Sequence, residues 1–265
     1  MKPSLGVRLA AYAVYAYMLV PLVVVVSFSF SDRSFFVFPP QGFSLKWYVQ
    51  AAESKLFLQP ALRSLALALL ATGIAALIAV PGALGLRRLH HRGLAQALEF
   101  AFLSPLIVPQ LILGIALLYY FNPLRLIDTF AGLLAAHVII VLPFMFRTVL
   151  VSVHDLNPHL EEASEVLGAS PWTTFHRVVL PALVPGLIAG GILSFIVSFD
   201  QFTVSLLITQ REQITLPVAI YRYLYDVNDP VAAAVSSVLV ALGFTVAYVI
   251  QRAGWTRNLA GVGGG

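Results

Sequence analysis

Glu162-Ala163-Ser164-Glu165-Val166-Leu167-Gly168, then nine residues, then Val178-Val179-Leu180-Pro181, lies between two long apolar stretches. Leu160, Ala163 and Leu167 fall at i, i+3 and i+7, which lines one apolar face of a short helix. Gly168 supplies the left-handed turn that ends it. Ser170 then caps a second helix, with Pro171 at its first position. The spacing predicts helix, sharp turn, helix over 154–180, with Leu180-Pro181 opening the next apolar span. Taken by itself, such a segment also reads as an amphipathic connector resting on a bilayer surface.

The flanks decide what kind of chain carries this segment. Of 265 residues, 59% are hydrophobic and only 11% charged, against roughly 25% charged in soluble domains. Uncharged runs cover Leu9 to Ser31, Leu65 to Leu86, Phe100 to Leu124, Thr129 to Phe146, Ala182 to Phe199 and Val231 to Gln251. Each approaches or exceeds the roughly 18–20 residues that cross a hydrocarbon core of about 30 Å. The expected fold is an all-α integral membrane protein with six transmembrane helices. Their spans are about 9–31, 62–86, 98–121, 129–151, 181–207 and 231–252, in one membrane domain over 1–265. The first run is too long for a signal-peptide core and is read as retained. Pro105 and Pro109 predict a kink in the third span, and Pro143 an interruption in the fourth. Ser44 is expected to cap a short helix carrying Trp47 and Tyr48 at the membrane interface. Gly254 to Gly265 reads as a mobile polar tail.

An even number of spans places both termini on one side. If that side is the cytoplasm, it holds Lys2, Arg8, Arg87, Arg88, Arg92, Arg147, Arg177, Arg252 and Arg257. The other side holds Arg33, Lys46, Lys55, Arg63, Arg125, Arg211 and Arg222. Nine against seven is a small bias, strengthened by the compact loop Arg87-Arg88-Leu89-His90-His91-Arg92. Those arginines read as lipid-headgroup anchors. The basic balance thus reflects topology, and no run of basic residues with interleaved aromatics points to nucleic acid.

Several chemistries are missing from the sequence. The only lysines are Lys2, Lys46 and Lys55, none in a Gly-Lys-Ser/Thr setting, so a P-loop is excluded. With no cysteine, thiolate and disulfide chemistry are excluded too. His154 and His159 lack the spacing and glutamate of a helical zinc motif, and His137 reads as a satisfied interior histidine; no metal site is expected. Asp200 differs from these: it follows eighteen uncharged residues within the fifth span, with Gln201 beside it. A carboxylate at a helix centre costs on the order of 2.5–3.5 kcal/mol on insertion scales, so it faces a cavity or a partner. The alternative is an Asp paired with an arginine of a neighbouring helix or with backbone donors.

The 162–181 stretch resembles the signature loop of ABC-importer permeases, written E-A-A, three residues, G, nine residues, I-x-L-P. Ser164 stands where the second Ala is usual and Val178 where Ile is usual. Gly42-Phe43-Ser44-Leu45-Lys46-Trp47-Tyr48, Ser198-Phe199-Asp200-Gln201-Phe202 and Thr215-Leu216-Pro217-Val218-Ala219-Ile220-Tyr221 resemble phrases of the spermidine/putrescine (polyamine) transport group. The resemblance implies a type I ABC-importer permease fold and a bacterial inner (plasma) membrane location, with both termini cytoplasmic. It implies that the loop docks into an ATPase subunit, with Glu162, Ala163, Gly168, Pro171, Leu180 and Pro181 as coupling residues. It further implies two ATPase subunits that bind ATP and Mg outside this chain, a second and different permease chain, and a substrate-binding protein. Phe199, Asp200, Gln201 and Phe202 become the expected substrate path, for a small cationic or zwitterionic solute. Gln201 replaces the second acid of the related phrase, which halves the negative charge. Arg63 stands where many relatives carry Asn, with no role legible in sequence. The alternative function is a stand-alone carrier driven by an ion gradient, which calls for repeats or half-helices that the sequence does not display. An intramembrane enzyme would have only Asp200 and His137, on different spans.

Overall fold

A computed structural model of the chain describes residues 4–37, 39–227 and 229–252. The tail from Gly254 to Gly265 lies outside the described residues. Among these the fold is all helix, with no strand. The elements are α1 (Leu5–Ser29), α2 (Lys46–Glu53), α3 (Lys55–Arg88), α4 (Arg92–Leu103), α5 (Gln110–Phe121) and α6 (Phe130–Asp155). They continue with α7 (Pro158–Val166), α8 (Pro171–Thr174), α9 (Leu180–Phe199), α10 (Thr203–Ile208), α11 (Leu216–Asp226) and α12 (Val231–Arg252).

The chain divides into two compact units, residues 1–59 with 219–265 and residues 60–218. In the first, α1 and α2 pack against α12. The Tyr48 hydroxyl bonds to Ser29 Oγ at 2.6 Å and to Ser237 Oγ at 2.8 Å, tying the three helices together. Trp47 is 6% exposed and donates from Nε1 to the Ser31 carbonyl at 2.6 Å. It is therefore a core residue, not the interfacial anchor expected, because the strap before α2 folds back over it. Gly42 takes φ +75°, and a Cβ there would lie 2.7 Å from Asp32 Cβ. Lys46 Nζ closes this strap on the Asp32 carbonyl and carboxylate.

The second unit is organised around α6 and α9, its most extensive helix pair. Leu183, Gly186, Gly190, Ser194 and Ser198 form the buried line of α9. On Gly186 a Cβ would strike Ser152 Oγ and come within 2.6 Å of the Thr148 carbonyl; on Gly190 it would strike Thr148 Oγ1. Such close approach is how apolar helices gain dispersion contact where no hydrophobic driving force separates protein from lipid. Ala71, Ala75, Ala79 and Ala83, every fourth residue of α3, are fully buried in the same core with Val141, Met145, Phe146, Val149 and Val153 of α6. The Phe146 ring stacks on Phe102 of α4 at 4.2 Å. A smaller core joins Leu117 and Phe121 of α5 to Ala136 and Ile140 of α6 and to Val204 and Ile208 of α10.

Among the described residues, four helices are long and apolar enough to cross a membrane: Leu5–Ser29, Lys55–Arg88, Phe130–Asp155 and Pro171–Phe199. A fifth crossing exists if Arg92–Leu106 and Gln110–Phe121 count as one span, for they meet at a 101° bend. The kink expected from Pro105 and Pro109 is thus a break. Pro105 sits in a single 3-10 turn, Ser104–Leu106, and Pro109 takes extended ψ as the N-cap of α5. In α6, by contrast, the helix runs through Pro143 without interruption, the proline being buried within the packed core. Two further boundaries differ from expectation. α3 is much longer than 62–86, and α9 stops at Phe199 before a separate α10, so the fifth span is not one helix to 207.

Candidate functional site

Local chemistry sets the ends of the helices in the loop after α6. Asn157 Oδ1 accepts from the His159 N–H, and Pro158 takes the first helical position, so α7 starts there. At the other end Gly168 takes φ +79°. Its N–H bonds to the Glu165 carbonyl at 2.9 Å and that of Ala169 to the Ser164 carbonyl at 3.1 Å, the paired bonds of a Schellman turn. Ser170 Oγ then accepts from the Thr173 N–H at 3.2 Å, with Pro171 at N1. The second helix is not separate from the span, however. α8, a π turn over Phe175–Val179 and α9 form one helix, Pro171–Phe199. Pro181 explains the wide turn: it has no N–H for the Arg177 carbonyl, and its ring needs room beside that carbonyl.

α7 presents two different faces. Inward, Ser164 Oγ bonds to Thr174 Oγ1 at 2.9 Å, and Glu161 bonds to Arg87 at 2.8 Å with Arg88 at 3.7 Å. Arg87 is therefore engaged by protein, not by lipid headgroups as its loop suggested. Outward, the apolar row Leu160, Ala163 and Leu167 is exposed, Leu167 to 86%, and Trp172 to 70%. Glu162 lies on this open side, its side chain 70% exposed with His159 Nδ1 at 3.0 Å. An apolar row left uncovered beside acids suits a docking surface, and it suits equally a connector resting on a bilayer.

The second cluster lies at the break between α9 and α10. Asp200 is the C-cap of α9, its carboxylate exposed, and Gln201 beside it is 4% exposed with an unpartnered Nε2. His137 of α6 bridges the break: Nδ1 bonds Ser198 Oγ at 2.8 Å and Nε2 bonds Ser205 Oγ at 3.0 Å. Ser205 Oγ in turn donates to the Gln201 carbonyl at 2.8 Å. The histidine is thus satisfied by two hydroxyls, as an interior histidine should be. Phe199 is half-buried and stacks on Phe195, and Phe202 is half-buried. No group of three metal-ligating side chains occurs among the described residues.

A third feature was not legible in sequence. Asp128, at φ 56°, accepts from the backbone N–H groups of Gln210, Arg211, Glu212 and Gln213 at 3.0–3.2 Å. Arg63 donates to the Ile214 carbonyl at 2.9 Å, and Ser64 Oγ accepts from the Leu216 N–H at 2.9 Å. Arg63 and Asp128 therefore hold residues 210–216 from two sides. Burial alone raises the Asp128 pKa, but the four donors outweigh it and hold the carboxyl below its ordinary value. A depressed carboxylate stabilises the fold above the unfolded-state value, and that contribution is lost as pH falls through the lower, folded one. Asp128→Ala is expected to speed amide hydrogen exchange at 210–213 at neutral pH, and the native clamp to open only under acid.

A polytopic helical membrane subunit with an uncovered two-helix loop defines the class of a transport permease. Residues 71–253 match the family described as "Binding-protein-dependent transport system inner membrane component". The spermidine/putrescine transport system permease protein PotC of Escherichia coli K12 is 30% identical, over 90% of both chains. A Salmonella typhi permease named for 2-aminoethylphosphonate transport is also 30% identical, over 88% of both. The crystal structure of a bacterial ABC transporter involved in the import of the acidic polysaccharide alginate superposes with a TM-score of 0.72 over 93% of this chain and 94% of that one, at 19% identity, and so bears on the fold alone. The chain belongs to this family, as the permease subunit of an ABC importer.

Proposed function

We propose that this subunit docks an ATPase through the open face of α7 and lines the path of a small amine-bearing solute at the α9–α10 break. The exposed row Leu160, Ala163, Leu167, with Glu162 and Trp172 beside it, carries the reading. Gly168 sets the angle between the two helices of the loop, and Leu180-Pro181 joins the second of them to α9. ATP and Mg are handled by two ATPase subunits, and a different but related permease and a substrate-binding protein complete the importer. Residues 1–265 form one permease domain with six crossings, counting the bent α4–α5 pair as the third and α12 as the last, and both termini lie in the cytoplasm. Reporter fusions near Leu89 and after Gly168 are expected to read cytoplasm, and fusions near Gln41 and Gln213 the outside. A reversed signal at any of the four removes this topology.

Asp200 supports the substrate class. An exposed carboxylate at a helix break favours a positive centre, and buried Gln201 offers one uncharged amide where a second acid would suit a polycation. A single ammonium, alone or in a zwitterion, fits that pair better than a multiply charged polyamine. The family match lends the ion-gradient carrier no support. The test is ATP-driven uptake by the reconstituted importer of labelled putrescine, spermidine and 2-aminoethylphosphonate, each with its binding protein. Asp200→Asn is expected to lower uptake of the accepted solute about tenfold with ATPase retained, and Gln201→Glu to shift preference toward more highly charged cations. Normal uptake by Asp200→Asn, with stability alone reduced, makes the residue a structural partner.

A further inference from the structure

α7 reaches the membrane helices by two routes. One is covalent, through the continuous helix Pro171–Phe199. The other is the ion pair between Glu161 on α7 and Arg87 in the last turn of α3, at 2.8 Å, with both side chains about four-fifths buried. Pairs of this kind, charge-assisted and partly shielded from water, are stronger than exposed ones. Arg88, largely exposed and 3.7 Å from the second oxygen, adds a weaker contact.

The rest of α3 makes that pair significant. Its fully buried side is the alanine row Ala71, Ala75, Ala79 and Ala83, while Val80, Leu84 and Leu86 pack half-buried against the same core. Small side chains along the alanine row leave fewer knobs to withdraw when the helix slides or rotates. Pro81 also removes one backbone hydrogen bond from α3, that of the Leu77 carbonyl, less than two turns before Arg87. The end of α3 is thus loosened at Pro81 within its packing, and the Glu161–Arg87 pair is its charged tie to α7.

We propose that Glu161 and Arg87 are positioning residues: the strut through which displacement of α7 is transmitted to α3. This rests on the reading that α7 docks the ATPase, and it assigns separate tasks to adjacent acids, Glu162 outward to the partner and Glu161 inward to the span.

The test uses the assembled importer. The chain has no cysteine, so single cysteines at exposed Leu77 of α3 and Val151 of α6 accept spin labels at chosen sites only. The label separation is measured without nucleotide and with ATP and vanadate. The native chain is expected to change separation; Arg87→Gln and Glu161→Gln lose that change while co-purifying ATPase in normal amount. Binding-protein stimulation of hydrolysis falls about fivefold in each, and no further in the double variant, as for two members of one linkage. Arg87→Lys, which keeps the charge and folds independently of the outcome, retains most of the change. A change that survives both Gln substitutions, a double variant that multiplies the two losses, or loss of the ATPase itself overturns the strut. A native chain that retains no ATPase overturns the docking reading and the strut together.

Discussion

Valine in place of Gly168 is expected to abolish substrate-stimulated ATP hydrolysis while the protein still inserts and elutes as a single species. The residue sits at φ +79°, where a side chain costs about 1–2 kcal/mol, more for a β-branched one. A Cβ there meets nothing within 4 Å, so the penalty is purely one of backbone conformation and leaves the packed core untouched. The relaxed chain must abandon the two bonds from the Gly168 and Ala169 amides and re-aim α7 against α8. A graded series separates this from a simple loss of contact. Asn, which tolerates the left-handed region, should retain most activity, Ala less and Val least. Glu162→Ala belongs to the same assay and should weaken ATPase retention without altering the turn. Equal activity across the series removes the turn from the coupling argument.

A second substitution should act on the fold itself. Gly186→Val places a side chain against the Thr148 carbonyl, 2.6 Å away, where the obstacle is backbone and cannot rotate aside. Overpacking commonly costs about 1–3 kcal/mol, and here it wedges apart the helix pair on which the second unit is built. The expected result is little or no monodisperse protein after detergent extraction. Gly191, five residues on and on another face, supplies the control: a Cβ there finds only Thr72 Cγ2 at 3.9 Å, ordinary contact, so Gly191→Ala should be tolerated. If both variants behave alike, close approach of α6 and α9 is not what holds this unit together.

The two glycines also show what could be read in advance and what could not. Gly168, Ser170 and Pro171 are governed by neighbours within five residues, and caps and left-handed turns declare themselves at that range. Gly186 and Gly190 carry a readable signal as well, the small-x-x-x-small pattern in an apolar span, which hydropathy alone passes over. The span reads on to 207 in hydropathy because Phe202 to Ile208 is apolar again after Asp200-Gln201, and the turn of the backbone at the Asp200 C-cap leaves no mark on that scale. Trp47 was placed at the membrane interface by its type, whereas its burial depends on a strap closed by Asp32 and Lys46. Asp128 and its four amide donors lie more than eighty residues apart, so no local pattern could have paired them. The choice between Glu161 and Glu162 was of the same kind: one residue's difference in register points one acid at Arg87 and the other outward.

The π turn at Phe175–Val179 lets Pro181 occupy the helix without cutting it, and that has a mechanical corollary. Pro171–Phe199 is a lever of 29 residues, about 43 Å long at 1.5 Å per residue. Its short arm carries Trp172 at the exposed loop, and its far tip ends at Asp200. A tilt of about 10° about its midpoint would swing each end by roughly 4 Å, comparable to the width of a methylammonium group. Beyond the tip only Asp200, Gln201 and Phe202 leave the helix before α10, and His137 ties the two sides of this break, to Ser198 of the lever and to Ser205 of α10.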